Sequence, residues 1–361
     1  MRPRVLFVSP SRQRLPLDAA QARKWDALRR ELDVRVLGTS GDGPWQDETF
    51  SLARDSGLAA YYASLPRRIA REVRSFDPDV IVAQSPYEAS AARAVRGRAR
   101  ILLEVHGDWD TATRLYGSRA RVLLEPVSRR IARSAVRHAD GVRTVSPFTS
   151  ALVRRLGVEP TAEFPAYYDA SAFTGRPPVP LPDGRTALFV GVLERYKNVG
   201  GLAAAWRLVV EELPDARLHI VGRGHEVATV TRLVAALPAN VDWTPQLSST
   251  EVADALDAAC ILLLPSFSEG LPRVAMEAFA RGRPVVGARA GGIPDIVRDG
   301  VNGVLVDPRD PRSIADGIVR VLRDRPLLEQ LAAAAAAEAG QWFQTPEGFA
   351  RQMRELVEQL R

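Results

Sequence analysis

Residues 266 to 277 read SFSEGLPRVAME, with two glutamates, Glu269 and Glu277, on either side of a Gly-Leu-Pro breaker and the apolar run CILLLP just ahead of them. A continuous apolar run reads as a strand buried on both faces, and Pro272 suits the first turn of a following helix. Glu269 is therefore expected in the turn at the strand's carboxyl end, and Glu277 on the helix, facing the same side. Gly270 permits close backbone approach, and the amides of Gly270 and Leu271 at a helix N-terminus suit an anion. Carboxylates repel phosphate but accept well from sugar and ribose hydroxyls, so both glutamates are expected to hold hydroxyl groups.

The stretch LFVGVLERYKNVGGLAAAW supplies the cations that phosphate needs. A strand is expected to end at Gly191, a short loop to carry Arg195 and Lys197, and a helix to open near Asn198. Amide donors, the positive end of a helix dipole and a point charge on Lys together make an anion site. Lys197 stands out because Lys24 is the only other lysine in an arginine-rich chain. In the other half, ILLEVHGDWD places His106 directly after a strand at 100 to 105, with Gly107 relaxing the turn. An imidazole there can orient a substrate or exchange protons with it; a satisfied structural histidine is the competing reading. The DWD that follows has the spacing of a metal-binding Asp-x-Asp, but it sits on a strand-to-helix turn, and no metal site is expected.

These residues need strand ends to hold them, and the chain supplies an α/β alternation. Strands are expected at 4 to 9, 34 to 38, 80 to 85, 100 to 105 and 141 to 146, with helices near 18 to 31, 57 to 75, 87 to 97 and 111 to 138. From about 157 the pattern fails in GVEPTAEFPAYYDASAFTGRPPVPLPDGR, and alternation restarts at TALFVG. The expected architecture is α/β: a doubly wound, Rossmann-like first domain over 1–163, a Pro-rich linker over 164–185, and a second Rossmann-like domain over 186–345. Parallel sheets present ligand sites outside the carboxyl ends of their strands, so two such domains facing each other would create an interdomain cleft.

Bulk properties agree. At 361 residues two domains are the default, and 46% apolar with 25% charged residues is globular composition. One cysteine, Cys260, excludes an internal disulfide framework, and the N-terminal apolar stretch of about five residues reads as too short for a signal peptide's apolar region or a membrane span. A cytoplasmic protein is expected. The net charge of +6 raises nucleic acid as a partner, through helices such as RRIAREVR at 67 to 74, but arginines scattered over many helices read as a solvated surface. The basic, amphipathic stretch 114 to 138 gives a second reading, peripheral contact with an anionic membrane.

The stretches EVHGD, FVGVLERYKN, LHIVGRGHE and LLLPSFSEGLPRVAMEAFARGRPVVGARAGGIPDIVRDGVNGVLVDPRD together resemble the family 4 glycosyltransferases of GT-B fold. The resemblance implies a retaining, metal-independent transfer of a sugar from a UDP- or GDP-sugar to a hydroxyl acceptor: a glycan, a lipid carrier or a secondary metabolite. No cofactor is implied, and no nucleic acid. By it, Glu269 holds the donor sugar, Glu277 the ribose and Lys197 the diphosphate, His106 lies near the transferred sugar, and Gly222, Arg223 and Leu247 border the base, with Gly270, Leu271 and Pro272 completing the donor site. Val192 stands where the family usually has a diphosphate arginine, so Arg195 or Arg273 is expected to supply that charge. SPSRQRLPL replaces the usual Gly-Gly loop after the first strand, and the C-terminal helix, 346–361, is expected to return to the first domain. A nucleotide-sugar epimerase or hydrolase of the same fold is the alternative activity.

Overall fold

Two parallel sheets organise the chain in a computed structural model that describes residues 2–109 and 125–361. The described residues fall into two units, one formed by 2–109, 125–169 and 344–361, the other by 170–343.

The sheet of the first unit has the order β3-β4-β2-β1-β5-β6-β7-β8, from β1 (Arg4–Gln13), β2 (Asp33–Ser40), β3 (Trp45–Gln46), β4 (Phe50–Arg54), β5 (Val80–Ala83), β6 (Arg100–Val105), β7 (Gly141–Thr144) and β8 (Ala162–Glu163). All neighbours are parallel except β3 and β4. Every residue of β5 and β7 is buried, as strands covered on both faces require. One face packs Phe7 and Leu102 under Trp25 and Leu28 of the helix Ala19–Glu31 and under Phe349, Met353 and Val357 of the helix Pro346–Leu360. The opposite face packs Leu6, Ile81 and Leu103 under Leu65, Ile69, Ala89 and Val136. The C-terminal helix thus belongs to the first unit.

Two local features differ from the sequence reading. Pro10 to Gln13, beyond the strand expected at 4 to 9, continue β1: the register shifts between Val8 and Arg12, and the bulge lets polar residues stay paired with Thr39 and Ser40. The β3–β4 hairpin carries no apolar period of its own; the Asp47 carboxylate shapes it by accepting from the Thr49 and Phe50 amides at 2.7 and 2.6 Å. Of the helical stretch read at 111 to 138, Glu125–His138 is a helix, and 110–124, including Asp110, lie outside the described residues.

The second unit has the wholly parallel order β11-β10-β9-β12-β13-β14, from β9 (Thr186–Val190), β10 (Arg217–Val221), β11 (Val241–Thr244), β12 (Ile261–Leu264), β13 (Val285–Ala288) and β14 (Gly303–Val306). Phe189, Trp206, Leu218, Leu263 and Ile318 form its core. Of the stretch 164–185 read as linker, 164–169 belong to the first unit, and 170–185 are held on this unit by two buried guanidinium groups. Arg281 donates to the carbonyls of Phe173, Arg176 and Pro177, and Arg283 to those of Val179 and Pro180, at 2.8 to 3.3 Å. A proline-rich segment cannot join a ladder, so its carbonyls need donors from elsewhere. Cys260 is buried, its Sγ 2.9 Å from the Gly184 carbonyl, and burial raises its thiol pKa. No described helix is long and apolar enough to cross a membrane.

Candidate functional site

The chain leaves β9 through a tight turn whose side chains converge on the carboxyl end of β12. Arg195–Lys197 form one turn of 3₁₀ helix, and Asn198 follows in the left-handed region at φ 57°. Asn198 caps the helix Val199–Glu212 by accepting from the Gly201 amide at 3.2 Å. Its Nδ2 donates to the carbonyls of Pro265 at 3.2 Å and Pro308 at 2.7 Å. One buried side chain therefore ties together the loops after β9, β12 and β14.

That anchor fixes its neighbour. The Lys197 stem lies against Gly191, where an added Cβ would meet Cε at 3.3 Å. Its Nζ reaches Glu269 Oε1 at 2.6 Å, with 11% and 13% of the two side chains exposed. The Tyr196 ring centroid lies 5.3 Å from the same ammonium. A charge-assisted bond in so dry a place is strong and leaves the pair nearly neutral overall.

Glu269 sits in the turn after β12, and its backbone is pressed by a second turn. A Cβ on Gly291, whose φ is 57°, would stand 2.6 Å from Glu269 N, and one on Gly292 would stand 2.1 Å from Gly270 O. The Gly292 amide donates to Glu269 O at 2.8 Å. Only glycines fit there. Pro272 caps the helix Arg273–Ala280, and Leu271 and Gly270 precede it, partly buried. Glu277 lies on this helix; burial pushes its carboxyl up to about 7, against the pull of Arg273 and Lys197. It can therefore either donate or accept near neutral pH.

The loops after β9 and β10 are locked as closely. A Cβ on Gly222 would stand 1.9 Å from Gly191 O. The Leu193 amide donates to Arg223 O at 2.7 Å, and His225 Nδ1 lies 2.8 Å from Glu194 Oε1. Arg195, Arg223 and Arg273 are exposed, Leu247 is partly buried, and Val192 is 48% exposed.

The first unit carries the remaining candidate. His106 follows β6 with its ring exposed, and its Nε2 lies 3.2 Å from Glu104 Oε2. Glu104 is buried and pairs with buried Arg143, whose Nη2 and Nε reach Oε1 at 2.8 and 3.0 Å. Burial alone would raise the Glu104 carboxyl, but Arg143 and then His106 pull it down to about 2. Among the described residues no group of three or more His, Cys, Asp or Glu could hold a metal ion.

Sequence reasoning missed Asn198, the Gly291–Gly292 pair, Glu104 and Arg143. The last two did leave a signal: charged residues inside the apolar strands RILLEV and GVRT, at positions the register places side by side.

Residues 23–162 match the family described as Glycosyltransferase Family 4, and residues 176–338 match that described as Glycosyl transferases group 1. The chain belongs to the family 4 glycosyltransferases. Their GT-B architecture is the one described above, two parallel-sheet α/β domains. A D-inositol 3-phosphate glycosyltransferase of Corynebacterium diphtheriae is 35% identical over 159 residues, 42% of this chain and 37% of the relative. One from a Nocardioides strain is 32% identical over 200 residues, 50% and 44% of the two chains. The matched part thus spans less than half the length of these relatives. Among solved structures, the sucrose-phosphate synthase of Thermosynechococcus elongatus superposes with a TM-score of 0.80 at 21% identity over 99% of both chains. HepE of Anabaena, solved with UDP-glucose, has a TM-score of 0.73 at 17% identity over 99% of both. At these identities the superpositions show the fold alone.

Proposed function

We propose that this protein is a retaining, metal-independent glycosyltransferase that moves a sugar from a nucleoside diphosphate sugar to a hydroxyl acceptor. The Lys197–Glu269 ion pair carries the reading. An isolated carboxylate would repel a diphosphate, whereas one neutralised by an ammonium can hold sugar hydroxyls beside it. Lys197 serves both the carboxylate and the departing diphosphate, with Arg195 or Arg273 in place of an arginine at Val192. The amides of Gly270 and Leu271 at the start of the helix Arg273–Ala280 add to the same charge field. Glu277 takes the ribose hydroxyls, and Gly222, Arg223 and Leu247 border the base. Pro272 starts the helix that carries Glu277.

In the reaction the bond from the anomeric carbon to the diphosphate oxygen breaks as the acceptor oxygen attacks from the same face. The acceptor's proton passes to a departing diphosphate oxygen, and the products are the glycoside and the nucleoside diphosphate. His106 binds a hydroxyl of the transferred sugar and stabilises the developing oxocarbenium. No cofactor enters this scheme.

HepE, solved with UDP-glucose, favours the uridine donor over the guanosine one. The acceptor is a glycan, a lipid carrier or a secondary metabolite. The helix Glu125–His138 exposes Val127 and Ile131 beside Arg130 and Arg137, which suits peripheral contact with an anionic membrane from the cytoplasm. Co-sedimentation with anionic but not neutral vesicles checks that point; equal recovery with both removes it.

The deciding experiment combines thermal-shift screening of UDP, GDP and their sugars with NMR of the products in the presence of EDTA. Stabilisation by one nucleoside diphosphate and an α-linked product from an α-linked donor are expected. An inverted product, an epimerised donor or abolition of turnover by EDTA would overturn the reading.

A further inference from the structure

The Glu104–Arg143 pair does something the fold alone does not require. Buried ion pairs often stabilise no better than apolar side chains of equal size, because two charges have to leave water. Here the arrangement divides the carboxylate between two tasks. Oε1 takes both contacts from Arg143, at 2.8 and 3.0 Å, while Oε2 is directed to His106 Nε2 at 3.2 Å. Arg143 is itself held from behind: its Nη1 donates to Phe164 O at 2.9 Å, and its guanidinium lies 4.6 Å from the Phe164 ring centroid and 5.6 Å from that of Phe349. The charged groups facing Glu104 are thus Arg143 on β7, His106 at the end of β6, and Lys24 on the helix Ala19–Glu31. The C-terminal helix presents the Phe349 ring to this cluster. Of these groups His106 is the one with its ring in solvent.

We propose that Glu104, locked by Arg143, is the positioning residue that fixes the His106 imidazole in one tautomer and one orientation, with Nδ1 turned to the transferred sugar. This rests on the reading of His106 as a sugar-contacting group. A carboxylate accepts and cannot donate, so the nitrogen facing it carries the proton. In the neutral ring Nδ1 is then an acceptor, aimed at a sugar hydroxyl instead of shared among rotamers. The contacts from Arg143, at 2.8 and 3.0 Å, keep the carboxylate an anion against the cost of its burial, so the group facing Nε2 remains an acceptor and the tautomer does not drift with pH.

The first test needs no substitution. With four histidines in the chain, the ¹⁵N imidazole signals are assignable, and the neutral His106 ring is expected as the Nε2–H tautomer. The Nδ1–H tautomer, or an even mixture, would overturn the proposal. Glu104→Gln turns the partner into a group able to donate, and the His106 signal is expected to become mixed; an unchanged pattern contradicts the coupling. In turnover of UDP-glucose, E104Q is expected to lower kcat ten- to a hundred-fold with donor KM within about two-fold, while Glu104→Asp recovers part of the loss. Adding E104Q to His106→Ala should then cost nothing further, since the two act through one ring. A full additional loss would make Glu104 structural only. Turnover of H106A equal to the native protein would sink the role of His106 itself, while the tautomer measurement still decides whether Glu104 governs the ring.

Discussion

The Lys197 ammonium lies 2.6 Å from the Glu269 carboxylate although 72 residues separate them in the chain. The two arrive together because β9 and β12 are parallel neighbours in the sheet and both loops leave from their carboxyl ends. Removing either partner leaves the other partly buried and uncompensated. Lys197→Ala is expected to reduce transfer by two orders of magnitude or more, about 3 kcal/mol. It should also weaken nucleoside diphosphate binding, because it presents a bare carboxylate to an anion. Glu269→Ala should lose turnover to a similar extent while retaining nucleotide affinity, and the double variant should lose much less than the sum. Titration calorimetry beside initial rates separates these outcomes; near-native rates in either single variant would dissociate the pair from the chemistry.

Asn198→Ala removes the cap of the helix Val199–Glu212 and leaves the Pro265 and Pro308 carbonyls without their donor. A loss of about 2 to 4 kcal/mol in urea unfolding is expected. Asn198→Gly accommodates the left-handed backbone but supplies none of the bonds, so it should recover only a small part of that loss.

Gly291→Ala drives a Cβ onto the Glu269 backbone at 2.6 Å and strains a residue at φ 57°. The turn carrying Glu269 must shift, and a displacement of an ångström or less at a reacting group can cost on the order of a hundred-fold in rate. The expected signature is lost transfer with the fold retained by circular dichroism. Full activity would show that the turn yields without moving the carboxylate.

Glu277 makes stability depend on pH in a direction opposite to most carboxylates. Its folded pKa, about 7, lies above its ordinary 4.5, so the folded protein resists ionisation that the unfolded chain accepts. Below about 4.5 there is no penalty. The penalty grows as pH rises to about 7 and stays constant above that. Glu277→Gln is therefore expected to gain relative to the native protein between pH 5 and pH 8, by about 2 kcal/mol, read from urea midpoints at the two values. A gain independent of pH would show that Glu277 is ionised throughout.

Much of this was legible in the residues. The apolar runs around Val80 and Ile261 mark strands covered on both faces, and Lys197 is conspicuous because lysine is so scarce here. Glu269 and Glu277 were picked out by setting: a carboxylate straight after a buried strand has few purely structural explanations. What stayed hidden depends on contacts across the fold. The grip of Asn198 on two distant carbonyls, and the pressure of Gly291 and Gly292 on the Glu269 turn, have no local period to betray them. Glu104 and Arg143 were seen only as parts of strands, since an ion pair declares itself when register sets the two side by side. The hold of Arg281 and Arg283 on the Pro-rich segment belongs with these, because the donors lie about a hundred residues from their acceptors.

Cys260 stands alone as a thiol, packed against the Gly184 carbonyl at the foot of the second sheet. Its chemistry is silent while that packing holds, since both the thiolate and any approaching reagent are shut out. The protein thus carries its own gauge of breathing motions: the speed with which a disulfide reagent modifies the native chain counts the openings that uncover the start of β12. Any ligand that clamps the neighbouring loops would register there as a slower reaction, without an attached dye.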